Sequence, residues 1–140
     1  MEIKLLIGII SFIGVVIGAS LQYYFTRHIE NQRHLRDLRS KAYMDYLKCV
    51  TDLAQFRPKE NSKEKIELNA KTGDAKARIC LYGSNKAIQA FSTFEKLGAT
   101  MNTEEQRKAF TNMIAIMRTD SGSEQGANSQ DIQNILLGVH

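Results

Sequence analysis

Tryptophan is absent from this chain of 140 residues, and Pro58 is its only proline. With so few breakers and no sustained alternation of β-branched and polar residues, the composition disfavours a sheet and favours helices. Cysteine is scarce as well. Cys49 and Cys80 form no C-x-x-C pair, so the expectation is two free thiols in a reducing compartment rather than a disulfide scaffold. Nucleophile elbows, Walker loops and Gly-rich dinucleotide turns are also missing. His28, His34 and His140 are the only histidines. The first two stand six residues apart and do not share a helical face as an i, i+4 metal pair would. Glu104-Glu105 opens an expected helix, where acidic side chains favour the dipole, and needs no catalytic role. The chain therefore reads as a non-enzyme with no cofactor and no metal.

The most informative absence is charge. No charged residue occurs from Leu5 through Thr26. Leu5 to Phe25 is long enough to cross a bilayer core as a helix, the only single segment that satisfies its own backbone polar groups in lipid. Tyr23 and Tyr24 fall where an aromatic belt is expected. A cleaved signal peptide is the rival, with Lys4 as n-region, Leu5 to Ile17 as h-region and Gly18-Ala19-Ser20 as cleavage site. Apolar residues continue to Phe25, however, and basic residues follow. Both features favour an uncleaved signal-anchor. No cysteine follows the h-region, which excludes a lipoprotein anchor.

The basic block sets the orientation. Arg27, Arg33, Arg36, Arg39 and Lys41 face only Glu30 and Asp37, and this stretch carries +3 of a net charge of +4. Such a block beside a span marks the cytoplasmic side and favours contact with anionic lipid. The expectation is a single-pass protein of the inner (plasma) membrane. Residues 1–26 form its anchor, the N-terminus lies outside, and residues 27–140 form a cytoplasmic helical domain. Without helix-turn-helix spacing, finger motif or aromatic RNA-binding motif, nucleic-acid binding is disfavoured.

Small residues gather on one face of the span. At 100° per residue, Gly8, Ser11, Gly14, Gly18 and Gln22 align, and Gly14 with Gly18 makes a GxxxG pair. Helix–helix association is expected there, with a second copy or with a partner membrane helix.

Beyond the span, no Gly or Pro occurs from Leu21 to Arg57. Leu35, Leu38, Ala42, Tyr46, Val50 and Leu53 form one amphipathic face, so the first helix is expected to run on to Phe56, before Pro58. A second helix, capped by Asn61 with Glu64 three residues on, spans Lys63 to Tyr82. Its core side is read as Ile66, Ala70, Ala77, Cys80 and Leu81, with a weak point at Gly73-Asp74. Gly83 suits a left-handed C-terminal position and Ser84 a cap. The third helix runs to Leu97, burying Ile88, Phe91 and Phe94. Thr103-Glu104-Glu105-Gln106 is a capping box. It opens a helix whose Phe110, Met113, Ile114 and Met117 are read as core rather than as a pliable binding groove. A loop over Thr119 to Asn128 precedes a short helix from Ser129 that docks Ile132, Ile135 and Leu136. The fold class is all-α: an N-terminal transmembrane helix continuing into a small antiparallel bundle of about four helices.

Lys41-Ala42-Tyr43, Arg78 with Leu81-Tyr82-Gly83-Ser84, Met117-Arg118-Thr119-Asp120 and Leu136-Leu137-Gly138 resemble pieces of a loose group of bacterial single-pass membrane proteins with a short cytoplasmic helical domain. That resemblance implies the topology and a structural corner at Tyr82-Gly83-Ser84, but no activity. The expected function is a membrane-tethered interaction or scaffolding protein, oligomeric through its span, with membrane lipid and another protein as partners. The alternative is a membrane-active effector, a toxin or defence protein, acting by oligomerisation in the bilayer.

Overall fold

The computed structural model describes residues 1–124 and 126–138, and His140 falls outside them. Among the described residues there are five helices and no strand. They are α1 (Glu2–Phe56), α2 (Lys63–Tyr82), α3 (Asn85–Lys96), α4 (Glu104–Asp120) and α5 (Ser129–Leu137). The chain divides into two units, Met1–Leu35 and the remainder from Arg36.

The first unit holds the N-terminal part of α1, which has no proline and a long apolar run and stays helical through Gly8, Gly14 and Gly18. None of its side chains is buried. Its large apolar residues from Ile3 to Phe25 are all between 48% and 76% exposed.

The second unit has its own core, built from Ala42, Tyr43 and Tyr46 of α1, Ala75 and Ile79 of α2, Ala87, Ala90, Phe91 and Phe94 of α3, the α4 stripe Phe110, Met113, Ile114 and Met117, and Ile132 of α5. Backbones approach most closely between α3 and α4 and between α4 and α5. Phe94 and Phe110 meet there, with ring centroids 5.2 Å apart. From α1, by contrast, long side chains reach in. The ring of Tyr46 stands edge-on to Phe91 at 4.9 Å.

The helix ends follow local chemistry. Ser84 Oγ accepts from the Ala87 amide at 3.1 Å. Thr103 Oγ1 accepts from the Gln106 amide, whose side chain accepts from the Thr103 amide in return. Asn128 caps α5 through the Gln130 amide. Each satisfies amides that the first turn leaves without an intrahelical partner.

Four local expectations need correction. The cap of α2 is Ser62, whose side chain accepts from the Lys65 amide. Asn61 instead takes a left-handed conformation, φ 61°, that its short polar side chain tolerates. The five α2 residues expected in the core, Ile66, Ala70, Ala77, Cys80 and Leu81, are all exposed, and the helix turns Ala75 and Ile79 inward with Leu68 and Thr72 half-buried. Gly83 is extended, with φ −62° and ψ 153°. Its requirement is space, because a Cβ there would lie 2.5 Å from the Ile79 carbonyl oxygen and 3.4 Å from the Tyr43 hydroxyl. In α5, Ile132 docks but Ile135 and Leu136 are 81% and 45% exposed, and the residue buried beside Ile132 is Gln133.

Candidate functional site

Two arrangements are candidates, one in each unit. In the first, unbroken helix from Glu2 places Gly8, Ser11, Gly14, Gly18 and Gln22 on one side, as 3.6 residues per turn requires. A Cβ added at Gly8, Gly14 or Gly18 would meet nothing within 4 Å, so another backbone has room to approach. Ser11 Oγ donates to the Ile7 carbonyl and Ser20 Oγ to the Val16 carbonyl, both at 2.8 Å. Those hydroxyls therefore need no outside partner, a condition for apolar surroundings. Near the end of the run, Arg27 donates to the Tyr23 hydroxyl at 3.1 Å.

The second arrangement is a polar joint centred on Tyr43. Its hydroxyl donates to Asp120 Oδ2 at 2.9 Å and accepts from the Ser84 amide at 3.3 Å. One α1 side chain thus ties the α2–α3 corner to the end of α4. Arg39 Nε donates to the Tyr82 carbonyl at 2.7 Å in the same corner, and the Arg36 side chain lies beside the Gly122 turn. Burial first, then the bond to Asp120, pushes the Tyr43 phenol up to about 12. The hydroxyl therefore stays protonated and able to donate. Burial also raises the Tyr46 phenol. Further along, Arg78 bridges Asp45 of α1 at 2.8 Å and Asp74 of its own helix at 2.7 Å.

This joint brings together three of the four segments that carry the resemblance to single-pass proteins: Tyr43, the Tyr82-Gly83-Ser84 corner and Asp120. Sequence reading singled out the corner but not the Tyr43–Asp120 bond, which spans 77 residues of chain. The five basic residues separate. Arg27 and Arg33 belong to the first unit and Arg36, Arg39 and Lys41 to the second. Arg39 is half-buried and committed to the corner, whereas Lys41 is exposed.

A groove of about 660 Å³ runs between the end of α1 and the start of α2, lined by Phe56, Pro58 and Leu68 with Asp52, Glu64 and Lys71. Its charges mix signs, and Lys71 already pairs with Glu67 at 3.0 Å, so no ligand charge is singled out. Among the described residues no three His, Cys, Asp or Glu side chains converge as metal ligands would. His28 and His34 are exposed, and Cys49 and Cys80 are free. Met113 and Met117, beside Phe110, are fully packed core.

Among the described residues one helix, α1, is long and apolar enough to cross a membrane; its most apolar stretch has a mean hydropathy of 2.3 and none of it is buried. Comparison with family models, with curated proteins and with solved structures finds no match to this chain.

Proposed function

We propose that this chain is a membrane-tethered interaction or scaffolding protein without enzymatic activity, oligomeric through its N-terminal span. In this reading α1 crosses the plasma membrane with the N-terminus outside. The core-bearing unit works in the cytoplasm as a small antiparallel bundle whose α1 portion is pinned by the Tyr43 joint.

The observation that carries the reading is the contrast in burial. Every large apolar side chain from Ile3 to Phe25 is exposed. Removing one such side chain from water is worth about 1.5–3 kcal/mol. Summed over the run, transfer to lipid far exceeds the roughly 5–15 kcal/mol that holds a typical domain together. The open Gly8, Gly14 and Gly18 backbone supports association within the bilayer. Basic residues beyond Thr26 support the cytoplasmic assignment and adhesion to anionic lipid.

Crosslinking in native membranes tests the oligomer. Gly14→Leu and Gly18→Leu are expected to abolish the multimeric species. Monomers alone in the unsubstituted chain, with no co-purifying protein, would refute it. The membrane-active alternative rests on the same glycine face and differs in one readout. Dye leakage or collapse of membrane potential on induced expression would favour it over the scaffold.

A further inference from the structure

At the end of the uncharged run, Tyr23, Arg27 and Asn31 follow at four-residue steps, with Tyr24 and His28 beside them. At 3.6 residues per turn all five fall within an arc of about 140°, and together they line a shallow recess of about 350 Å³. Each side chain can donate a hydrogen bond and none is acidic. Arg27 is the first charged residue after Lys4. Among the described residues it pairs with no carboxylate, although Glu30 stands three positions on. In the second unit, by contrast, Lys71, Lys76, Arg78 and Arg107 each have one.

The contact that Arg27 does make fixes its depth. Its Nη1 donates to the Tyr23 hydroxyl at 3.1 Å, so the guanidinium turns back along the helix toward the apolar run. A long cationic side chain at such a boundary ordinarily carries its charge out to water. The bond occupies one N–H and braces the rest of the fork. Because the Tyr23 oxygen accepts here, its own proton is left to donate to a third group. With Phe25 at the edge of the hydrocarbon, the Arg27 Cα stands about 3 Å beyond it and the Arg33 Cα about 12 Å. The headgroup layer is roughly 5–8 Å deep on each side. Arg27 therefore lies within it, whereas Arg33 lies beyond it and on the opposite side of the helix.

We infer that Tyr23, Arg27 and Asn31, flanked by Tyr24 and His28, hold the phosphodiester of one anionic phospholipid. The planar guanidinium takes two phosphate oxygens, and the Tyr23 hydroxyl and Asn31 amide donate from the turns on either side. The five side chains offer donors and positive charge but no carboxylate to meet the ammonium of a zwitterionic headgroup. The site rests on the reading of α1 as a membrane span. It differs from diffuse attraction by the whole basic block in holding one lipid per chain, through residues that include uncharged ones.

The full chain reconstituted in phosphatidylcholine vesicles with a minor share of phosphatidylglycerol provides the test. Flotation reports insertion, and native mass spectrometry after gentle extraction counts the lipids that stay bound. One phosphatidylglycerol per chain is expected. Arg27→Gln should lower its retention about tenfold, and Arg27→Lys should not restore it, since an ammonium lacks the fork. Tyr23→Phe, which keeps the ring, should lower it severalfold. Arg33→Gln should change it by less than about twofold, its charge being screened at that distance. None of these residues belongs to the core, so every variant should float and melt like the unsubstituted chain. Equal loss in Arg33→Gln and Arg27→Gln would overturn the site in favour of diffuse attraction. Equal retention of phosphatidylcholine would overturn the choice of an anionic lipid. Displacement by excess inorganic phosphate would overturn lipid as the source of the phosphate. A chain that floats yet retains no lipid refutes this site alone, whereas a chain that fails to float refutes the span and the site with it.

Discussion

The two units of this chain use the same secondary structure and similar apolar residues, yet they treat those residues oppositely. In the unit from Arg36 onward, apolar side chains recur every three or four positions and disappear into a shared core, as Phe94 at 1% and Met113 at 0% exposure illustrate. In Met1–Leu35 they surround the helix and none is covered by protein. A stripe tells a helix which neighbour to pack against, whereas an apolar surface all round calls for a different solvent. The backbone is satisfied by its own hydrogen bonds in both, so the arrangement of side chains alone separates them.

Substitutions sharpen the contrast. The largest effect is expected from Phe94→Ala, which empties the contact with Phe110 and should cost about 3–5 kcal/mol. Chemical denaturation of the detergent-solubilised chain reads this directly. Phe12→Ala, also a Phe truncation but in the first unit, should leave that transition unchanged. Equal destabilisation by the two would erase the distinction between the units.

Next comes Tyr43→Phe, which keeps the ring and removes the bonds to Asp120 and Ser84. The expected loss is about 1–3 kcal/mol, because a half-buried carboxylate and an amide lose their partner. The same residue sets a pH dependence. Folding holds the phenol proton up to about 12 against an ordinary value of 10.0. Its contribution is therefore complete below about pH 10 and declines as pH rises toward 12, where the unfolded chain ionises first. Melting temperature measured across that window should fall in the unsubstituted chain and fall less in Tyr43→Phe. The smallest effect belongs to Ile135→Ser, within about 0.5 kcal/mol, because that side chain already faces water.

How much of this was legible in the sequence varied with the kind of information required. The start and the core stripe of α4 were readable, since the stripe is unbroken and the capping box is local, but its end was not: the helix takes in Thr119 and Asp120, where a loop was expected. The end of α1 at Phe56 was readable from Pro58. For α2 the extent was readable but the face was not. Ile66, Ala70 and Ala77 compete with Leu68, Ala75 and Ile79 at the same helical period, and the choice is made by tertiary partners such as Asp45, which takes Arg78. Gly83 was recognised as a break for the wrong reason. A left-handed turn is a local property, whereas its actual constraint comes from close approach to Ile79 and to Tyr43, the latter 40 residues earlier in the chain. The polar joint was the least visible part, because a tyrosine on an amphipathic helix carries no mark of a hydrogen-bond partner on a distant one. The glycine face of the first unit was fully visible, because it depends only on helical geometry.

Alkaline carbonate extraction of membranes from cells making the full chain tests the central claim most directly. The whole polypeptide, starting ahead of Ser20, is expected to stay in the lipid pellet. Its release into the aqueous supernatant, or a mature N-terminus beyond Ser20, would contradict it.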